Sequence, residues 1–271
     1  MMLKKLCTIF LIMLLVLSIG VGLKSNVIQA KELSVNEIVR KAYKAANYSG
    51  DDERGVINMT IVDSQGRKRH RELLKLKKDI EDNGDQKFYV YFKRPADVRK
   101  MVFMVYKHPG SQDDRWLYLP ALDLVQRIAA GDKRTSFAGS HFTYEDVSGR
   151  ALQLDKHILL GEEDGKYIIK NLPKDAEDVE FSYYKMWIDK EIFLPVKAEY
   201  YNKQGSPYRV ITAEKIETIQ GYPTVTVRKV KNLIDGGYTV IRMSNIEYNV
   251  GIPERIFSER YLRRPPRRWL R

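Results

Sequence analysis

The stretch GVINMTIVDSQG, residues 55–66, decides the fold class of this chain. Apolar side chains at every second position alternate with more polar ones, which is the period of two that is typical of a β-strand. The turn sequence at 63–66 then returns the chain into a very basic second strand, predicted over residues 67–78. The stretch therefore predicts an antiparallel hairpin.

Similar apolar segments recur along the rest of the chain, separated by turns rich in Gly, Asn, Asp and Pro. Short connections require antiparallel neighbours, because parallel strands need long crossovers. The sequence therefore predicts a single, strongly curved antiparallel sheet or barrel. Strands are predicted over residues 57–62, 67–78, 87–92, 101–106, 115–119, 124–128, 167–170, 181–189, 196–201, 208–216, 224–230 and 238–248.

One helix is predicted before the first strand. Ser34 followed by Glu37 forms a capping box, and Leu33 with Ile38 occupies the positions of a hydrophobic staple. Apolar residues then recur at spacings of three and four as far as Asn47, so that one side of the helix faces a core or a cavity.

The first thirty residues have the pattern of an export signal. Lys4 and Lys5 precede an uncharged, mostly apolar run over residues 6–23, and Ala30 is an acceptable cleavage position. A retained transmembrane anchor is the alternative, because the run approaches the length of a spanning helix. We expect cleavage after Ala30 and a single exported domain, residues 31–271, located in the periplasm or cell envelope. The only cysteine, Cys7, would leave with the signal.

The chain carries a formal net charge of +12. For an exported protein, basic charge indicates contact with anionic lipid or an acidic partner more readily than with nucleic acid. The most basic segment is the C-terminal tail, residues 260–271, for which a solvated, disordered end is the alternative to such a contact. The residues predicted to contact a membrane or partner are Arg263, Arg264, Arg267 and Arg268.

Sequence motifs of catalysis and metal binding are missing from the chain. The four histidines are dispersed, no nucleophile elbow or phosphate-binding glycine loop occurs, and the acidic clusters fall where turns are predicted. We therefore expect no enzymatic activity, no metal and no cofactor.

A segment that interrupts the series of strands, residues 129–149, combines three glycines with exposed aromatic residues. Long irregular segments in compact domains are commonly functional, so we interpret it as a candidate lid and call it the lid segment. A surface loop whose aromatics cover the sheet edge is the alternative. The predicted lid residues are Phe137, Phe142 and Tyr144.

Short motifs spread over most of the chain resemble the LolA-like superfamily of outer-membrane lipoprotein-sorting proteins, which includes LolB-like receptors and the lipid-sensing domain of the RseB regulator. One departure is Lys100, which stands where the family pattern has a glycine before a hydrophobic strand. The motifs are FKRPAD at 92–97, WLYLPA at 116–121 with QRI at 126–128, the segment 136–146, WID at 187–189 with LPVKAEYY at 194–201, and GIPERIF at 251–257.

The resemblance implies an α+β, mainly β fold: a curved, half-open antiparallel β-barrel covered by helices and a lid loop, enclosing an apolar cavity. It implies a monomeric, non-catalytic carrier that passes acyl chains of lipoproteins or free lipid across the periplasm, with an RND- or MMPL-type transporter or an outer-membrane receptor as candidate partner. An envelope-lipid sensor of the RseB type is the alternative. The residues expected to line the cavity are Met101, Phe103, Val105, Trp116, Tyr118 and Trp187.

Overall fold

The capping box at Ser34 begins the first helix, α1, which runs from Val35 to Asn47. The computed structural model describes residues 32–270, so the expected signal segment and its cleavage lie outside the described residues. The Ser34 hydroxyl accepts from the amide of Glu37, and the Glu37 carboxylate accepts from the amide of Ser34 at 2.8 Å. Leu33 packs beside Ile38, as the staple predicts.

Thirteen strands follow α1 within residues 32–270. Two further short α-helices are present, α2 at Tyr144–Ser148 and α3 at Glu259–Arg263. The strands are β1 Asp52–Val62, β2 Lys68–Asp79, β3 Gln86–Arg94, β4 Val102–Lys107, β5 Asp114–Leu119, β6 Leu124–Arg127, β7 Asp155–Glu163, β8 Lys166–Pro173, β9 Tyr183–Asp189, β10 Pro195–Tyr201, β11 Pro207–Ile219, β12 Tyr222–Asn232 and β13 Tyr238–Tyr248.

The thirteen strands form one antiparallel sheet in the order β6-β5-β4-β3-β2-β1-β13-β12-β11-β10-β9-β8-β7. Every pair of neighbours is consecutive in sequence except β1 and β13, which join the two halves. The sheet curves, and its edges β6 and β7 do not pair with each other. The predicted half-open antiparallel barrel is confirmed.

Strand β7 was missed by the sequence analysis, which assigned the acidic residues 162–164 to a turn. The turn instead begins at Asp164, and Glu162 and Glu163 end a strand that pairs with β8. Because β7 is an edge strand, charged side chains are compatible with its position and obscure its alternation.

The C-terminal residues as far as Leu270 fold against the sheet, which contradicts the alternative of a disordered end. They pack on the outer, convex face of β2–β5, where Leu262 is fully buried and the Tyr89 hydroxyl donates to the carbonyl of Tyr261 at 2.8 Å. The four arginines predicted to contact a membrane or partner, Arg263, Arg264, Arg267 and Arg268, keep their side chains exposed.

The inner, concave face is covered by α1 and by the lid segment. Helix α1 packs on β8 and β9 through Ile38, Val39 and Ala42. The lid segment, which includes α2, connects the two edge strands and packs on β1–β5. No helix within residues 32–270 is long and apolar enough to cross a membrane.

Candidate functional site

A cavity of about 330 Å³ lies between α1, the lid segment and the concave face of the sheet. This volume falls at the lower end of the range of about 300–1,000 Å³ that is usual for small-molecule sites. Most of its lining is apolar. The apolar lining includes Val39, Ala42, Ile57, Met59, Leu73, Phe88, Val90, Phe137, Phe142, Val147, Met186, Ala198, Ile211, Ala213, Ile241 and Met243.

Strand alternation directs the apolar side chains of β1 and β13 into the cavity. Ile57 lies opposite Met243, and Met59 lies opposite Ile241. Residues that are directly opposite on neighbouring strands share one face of the sheet. The alternation in the stretch at 55–66, which predicted the fold, therefore also supplies this wall.

Three of the chain's eight methionines, Met59, Met186 and Met243, line the cavity. Methionine is unbranched and polarisable, so it repacks around ligands of different shape more easily than branched side chains do. The wall of this cavity is therefore adaptable.

One end of the cavity is charged rather than apolar, which departs from the uniformly apolar interior that the resemblance implies. Lys75 Nζ lies 2.9 Å from both carboxylate oxygens of Glu53, and Lys77 Nζ donates to the carbonyl of Asn47 at 2.6 Å. Burial acts to raise the pKa of Glu53, but the two lysines hold that pKa below its usual range. The cavity therefore combines an apolar wall with a polar end.

The aromatic residues of the lid segment pack against the sheet. Phe137 and Phe142 line the cavity, and Phe137 also lies 5.4 Å from Phe103 and 5.7 Å from Tyr144 between ring centroids. Tyr144 contacts Phe103 at 5.1 Å and does not line the cavity. The lid segment thus buries its aromatic side chains against the concave face.

An ion pair joins the lid segment to strand β11. The Arg209 guanidinium contacts both carboxylate oxygens of Asp146 in α2, and it also donates to the carbonyl of His141 at 3.2 Å. Burial acts to raise the pKa of Asp146, but Arg209 and Arg134 hold it below its usual value. Asp146 is therefore a carboxylate at neutral pH.

A second group of ion pairs surrounds Glu145, the neighbour of Asp146. Arg134 and Arg150 each lie 3.1 Å from its carboxylate, and Arg150 also pairs with Asp155 of β7 at 2.9 Å. Arg134 continues to Glu180 at 2.7 Å. These contacts hold the C-terminal part of the lid segment against β7 and the connection before β9, and the sequence analysis did not assign them.

His157 is the histidine that lines the cavity, and neighbouring groups surround both of its ring nitrogens. Nδ1 lies 2.7 Å from the side-chain oxygen of Asn171, and Nε2 lies 3.2 Å from the carbonyl of Leu152. Within the described part of the chain, no group of three His, Cys, Asp or Glu side chains is arranged to hold a metal ion. The two His157 contacts link β7 to β8 and to the connection that precedes β7.

Three of the predicted cavity residues, Met101, Phe103 and Val105, lie on the concave face. They belong to the same apolar cluster as the lid aromatics, and none of the three lines the open volume. The structure thus places them beside the cavity and not in its lining.

The other three predicted cavity residues lie on the opposite face of the sheet, which corrects the prediction. Trp116 and Tyr118 are covered by the C-terminal residues, and Trp187 lies under the ammonium group of Lys197 at 4.2 Å. The reason is register, because Leu117 and not Trp116 lies opposite Phe103. Both faces of β4 and β5 are apolar, so alternation did not distinguish the inner face from the outer one.

Comparison with known proteins gives matches over most of the chain. A family model described only as "Uncharacterized protein" matches residues 84–264. A DUF1329 family protein from Desulfovibrio piger is 30% identical, with 83% of this chain and 95% of that chain covered and a TM-score of 0.76. The chain belongs to the DUF1329 family.

Two further solved structures share the fold of this chain. A putative outer membrane lipoprotein-sorting protein domain from Vibrio parahaemolyticus is 25% identical, covers 84% of this chain and 97% of its own, and has a TM-score of 0.76. A LolA superfamily protein from Nitrosomonas europaea is 19% identical, covers 85% and 100%, and has a TM-score of 0.65. No curated protein matches the chain.

Proposed function

We propose that this DUF1329 family protein is an exported carrier that binds the acyl chain of a lipid or lipoprotein in the cavity under the lid segment. The observation that carries the proposal is the mostly apolar cavity of about 330 Å³ between α1, the lid segment and the sheet. The sorting of lipoproteins named for the Vibrio parahaemolyticus relative supports the same class of cargo. A carrier role requires binding and release but no catalysis.

Release from such a site needs a competitor for the bound chain. Each buried methylene contributes about 0.8 kcal/mol, so a long acyl chain in a preformed apolar site would leave very slowly. The aromatic residues Phe137 and Phe142 occupy the concave face when the lid segment is closed. Opening exposes them and loading displaces them, which brings the loaded and empty states closer in free energy.

We further propose that the C-terminal arginines contact an anionic membrane surface. Arg264, Arg267 and Arg268 are exposed on the ordered tail, and Arg263 bonds to Asp123 beside Leu122, whose side chain is 70% exposed. Basic residues next to an exposed apolar side chain suit an interface of anionic headgroups. A transporter or outer-membrane receptor as partner stays a prediction, as does periplasmic location.

Binding of a fluorescent fatty acid to delipidated protein tests the carrier proposal. Ala213→Phe should fill the cavity and weaken saturable binding at least tenfold, because Ala213 projects into the open volume. Thr212→Phe, one residue away on the outer face, is the matched control and should bind as the unmodified protein does. Absence of saturable binding, or equal binding by both variants, would contradict the proposal.

A further inference from the structure

One arginine projects into the apolar wall of the cavity. Arg228 of β12 lies directly opposite Ala213 on β11 and Ile241 on β13, and Ile241 in turn lies opposite Met59 on β1. All four side chains line the cavity. Arg228 is thus the single charge among these four lining residues. The row continues to Arg71 of β2, which lies opposite Met59 but does not line the cavity.

Arg228 makes no hydrogen bond, ion pair or cation–π contact within residues 32–270, whereas the other basic side chains at the cavity have partners. The two carboxylates closest to it electrostatically are Asp146 and Glu53. Neither carboxylate is free to pair with Arg228, because Glu53 pairs with Lys75 and Asp146 pairs with Arg209. The partnered Lys and Arg side chains that line the cavity are Lys75 with Glu53, Lys77 with Asp79, Arg134 with Glu180, Arg150 with Asp155, and Lys197 with Glu199.

An unpaired guanidinium in an apolar wall is unfavourable unless something in the cavity solvates it. Burial lowers the pKa of Arg228, although Asp146 and Glu53 oppose that shift, and arginine stays charged in proteins at neutral pH. Its planar donors suit the oxygens of a phosphate or carboxylate, which they bind in a bidentate arrangement.

We infer that Arg228 binds the anionic headgroup, a phosphate or a carboxylate, of an amphiphile whose hydrocarbon chain lies along Met59, Ile241 and Ile57. The inference rests on the proposed carrier function and narrows its cargo. The acyl groups of a lipoprotein carry no anionic group of their own, so a cation among the chain-binding residues favours a free anionic lipid as the ligand.

Isothermal titration with three ligands tests this site on delipidated full-length protein. Dodecyl phosphate has both chain and anion, dodecanol has the chain alone, and inorganic phosphate has the anion alone. Arg228→Gln should weaken dodecyl phosphate binding about 10- to 100-fold and leave dodecanol binding unchanged. The matched control is Arg242→Gln, an exposed arginine on the outer face of the adjacent strand. Arg242→Gln should leave the binding of dodecyl phosphate and of dodecanol unchanged.

The outcomes separate this inference from the function on which it rests. Equal binding of dodecyl phosphate by both variants would overturn the anion site while dodecanol binding still supports the carrier. Failure of both chain-bearing ligands to bind would overturn the carrier itself. Inorganic phosphate binding as tightly as dodecyl phosphate would overturn an amphiphile as the ligand. Thermal unfolding provides a folding check, because removing an unpaired buried charge should leave the melting temperature unchanged or raise it.

Discussion

Arg209 and Asp146 form an ion pair between the sheet and the lid segment, and each side chain is less than one-tenth exposed. The pair connects residues 63 positions apart in sequence. Removing one partner of a pair buried to this extent destabilises the fold, because the other charge is left buried without a counter-charge.

Replacing one partner of this pair should release the lid segment. We expect Arg209→Gln to cost about 3–5 kcal/mol of stability, as breaking a buried ion pair usually does. Hydrogen exchange of the amides at 133–149 should accelerate more than exchange in β1 and β2. The control is Arg54→Gln, whose partner Glu247 is half exposed and whose loss should cost about 1 kcal/mol or less. Equal effects of the two substitutions on stability and on hydrogen exchange would contradict the proposed role of the Arg209–Asp146 pair in holding the lid segment.

The same pair predicts how stability responds to acid. The folded pKa of Asp146 lies below the ordinary value of 3.8, so its contribution is complete above that value and declines as pH falls through the depressed folded pKa. Thermal unfolding followed from pH 7 to pH 3 should show this loss only below about pH 4. Asp146→Asn should be less stable at neutral pH and should lose less on acidification. A loss of stability that begins near pH 6 would have to come from a titratable group other than Asp146.

The C-terminal residues should stabilise the sheet from outside. Leu262 is fully buried against the convex face, and Leu262→Ala should cost about 2–5 kcal/mol in chemical denaturation. Truncating the tail would therefore confuse a folding defect with a binding defect. A change below about 0.5 kcal/mol, the size usual for surface substitutions, would show that the tail is not docked in solution.

Membrane contact is instead tested by substituting the exposed arginines of the ordered tail. Replacing Arg264, Arg267 and Arg268 together by Gln should leave unfolding unchanged and weaken pelleting with anionic vesicles by about 1 kcal/mol per charge. Replacing three exposed lysines elsewhere, Lys203, Lys215 and Lys231, controls for net charge. Equal weakening by both sets would indicate attraction by the overall charge alone.

Lys100 has a φ of 70°, in the left-handed region that favours glycine. Its position is the one where the family pattern has a glycine. Lys100→Gly should stabilise the protein by about 0.5–1 kcal/mol, because relief of the backbone strain exceeds the entropy that glycine adds to the unfolded chain. Arg99→Gly, at an exposed neighbour with ordinary φ, should destabilise instead. Destabilisation by both would contradict this explanation.

Local signals in the sequence predicted α1 and most of the sheet. The Ser34 capping box involves residues three positions apart, and hairpin turns determine the antiparallel order, so neither depends on distant contacts. Long-range contacts were not predictable in this way. The pairing of Arg209 with Asp146 arises only when the lid segment packs on the sheet, and the isolation of Arg228 depends on which side chains of the folded chain surround the cavity.

The cavity lining was the least predictable feature. Alternation showed that Trp116 and Leu117 face opposite ways but not which of them faces inward. The C-terminal residues cover the outer face of β2–β5 and make both faces apolar there, which removes the usual contrast between core and solvent.

Mass spectrometry of lipids that copurify with the protein from its native host tests the central claim most directly. The account predicts a bound lipid in roughly equimolar amount with the unmodified protein and its loss from Ala213→Phe. An unmodified protein that carries no lipid, or an Ala213→Phe variant that retains the same amount, would contradict the claim that the cavity holds an acyl chain.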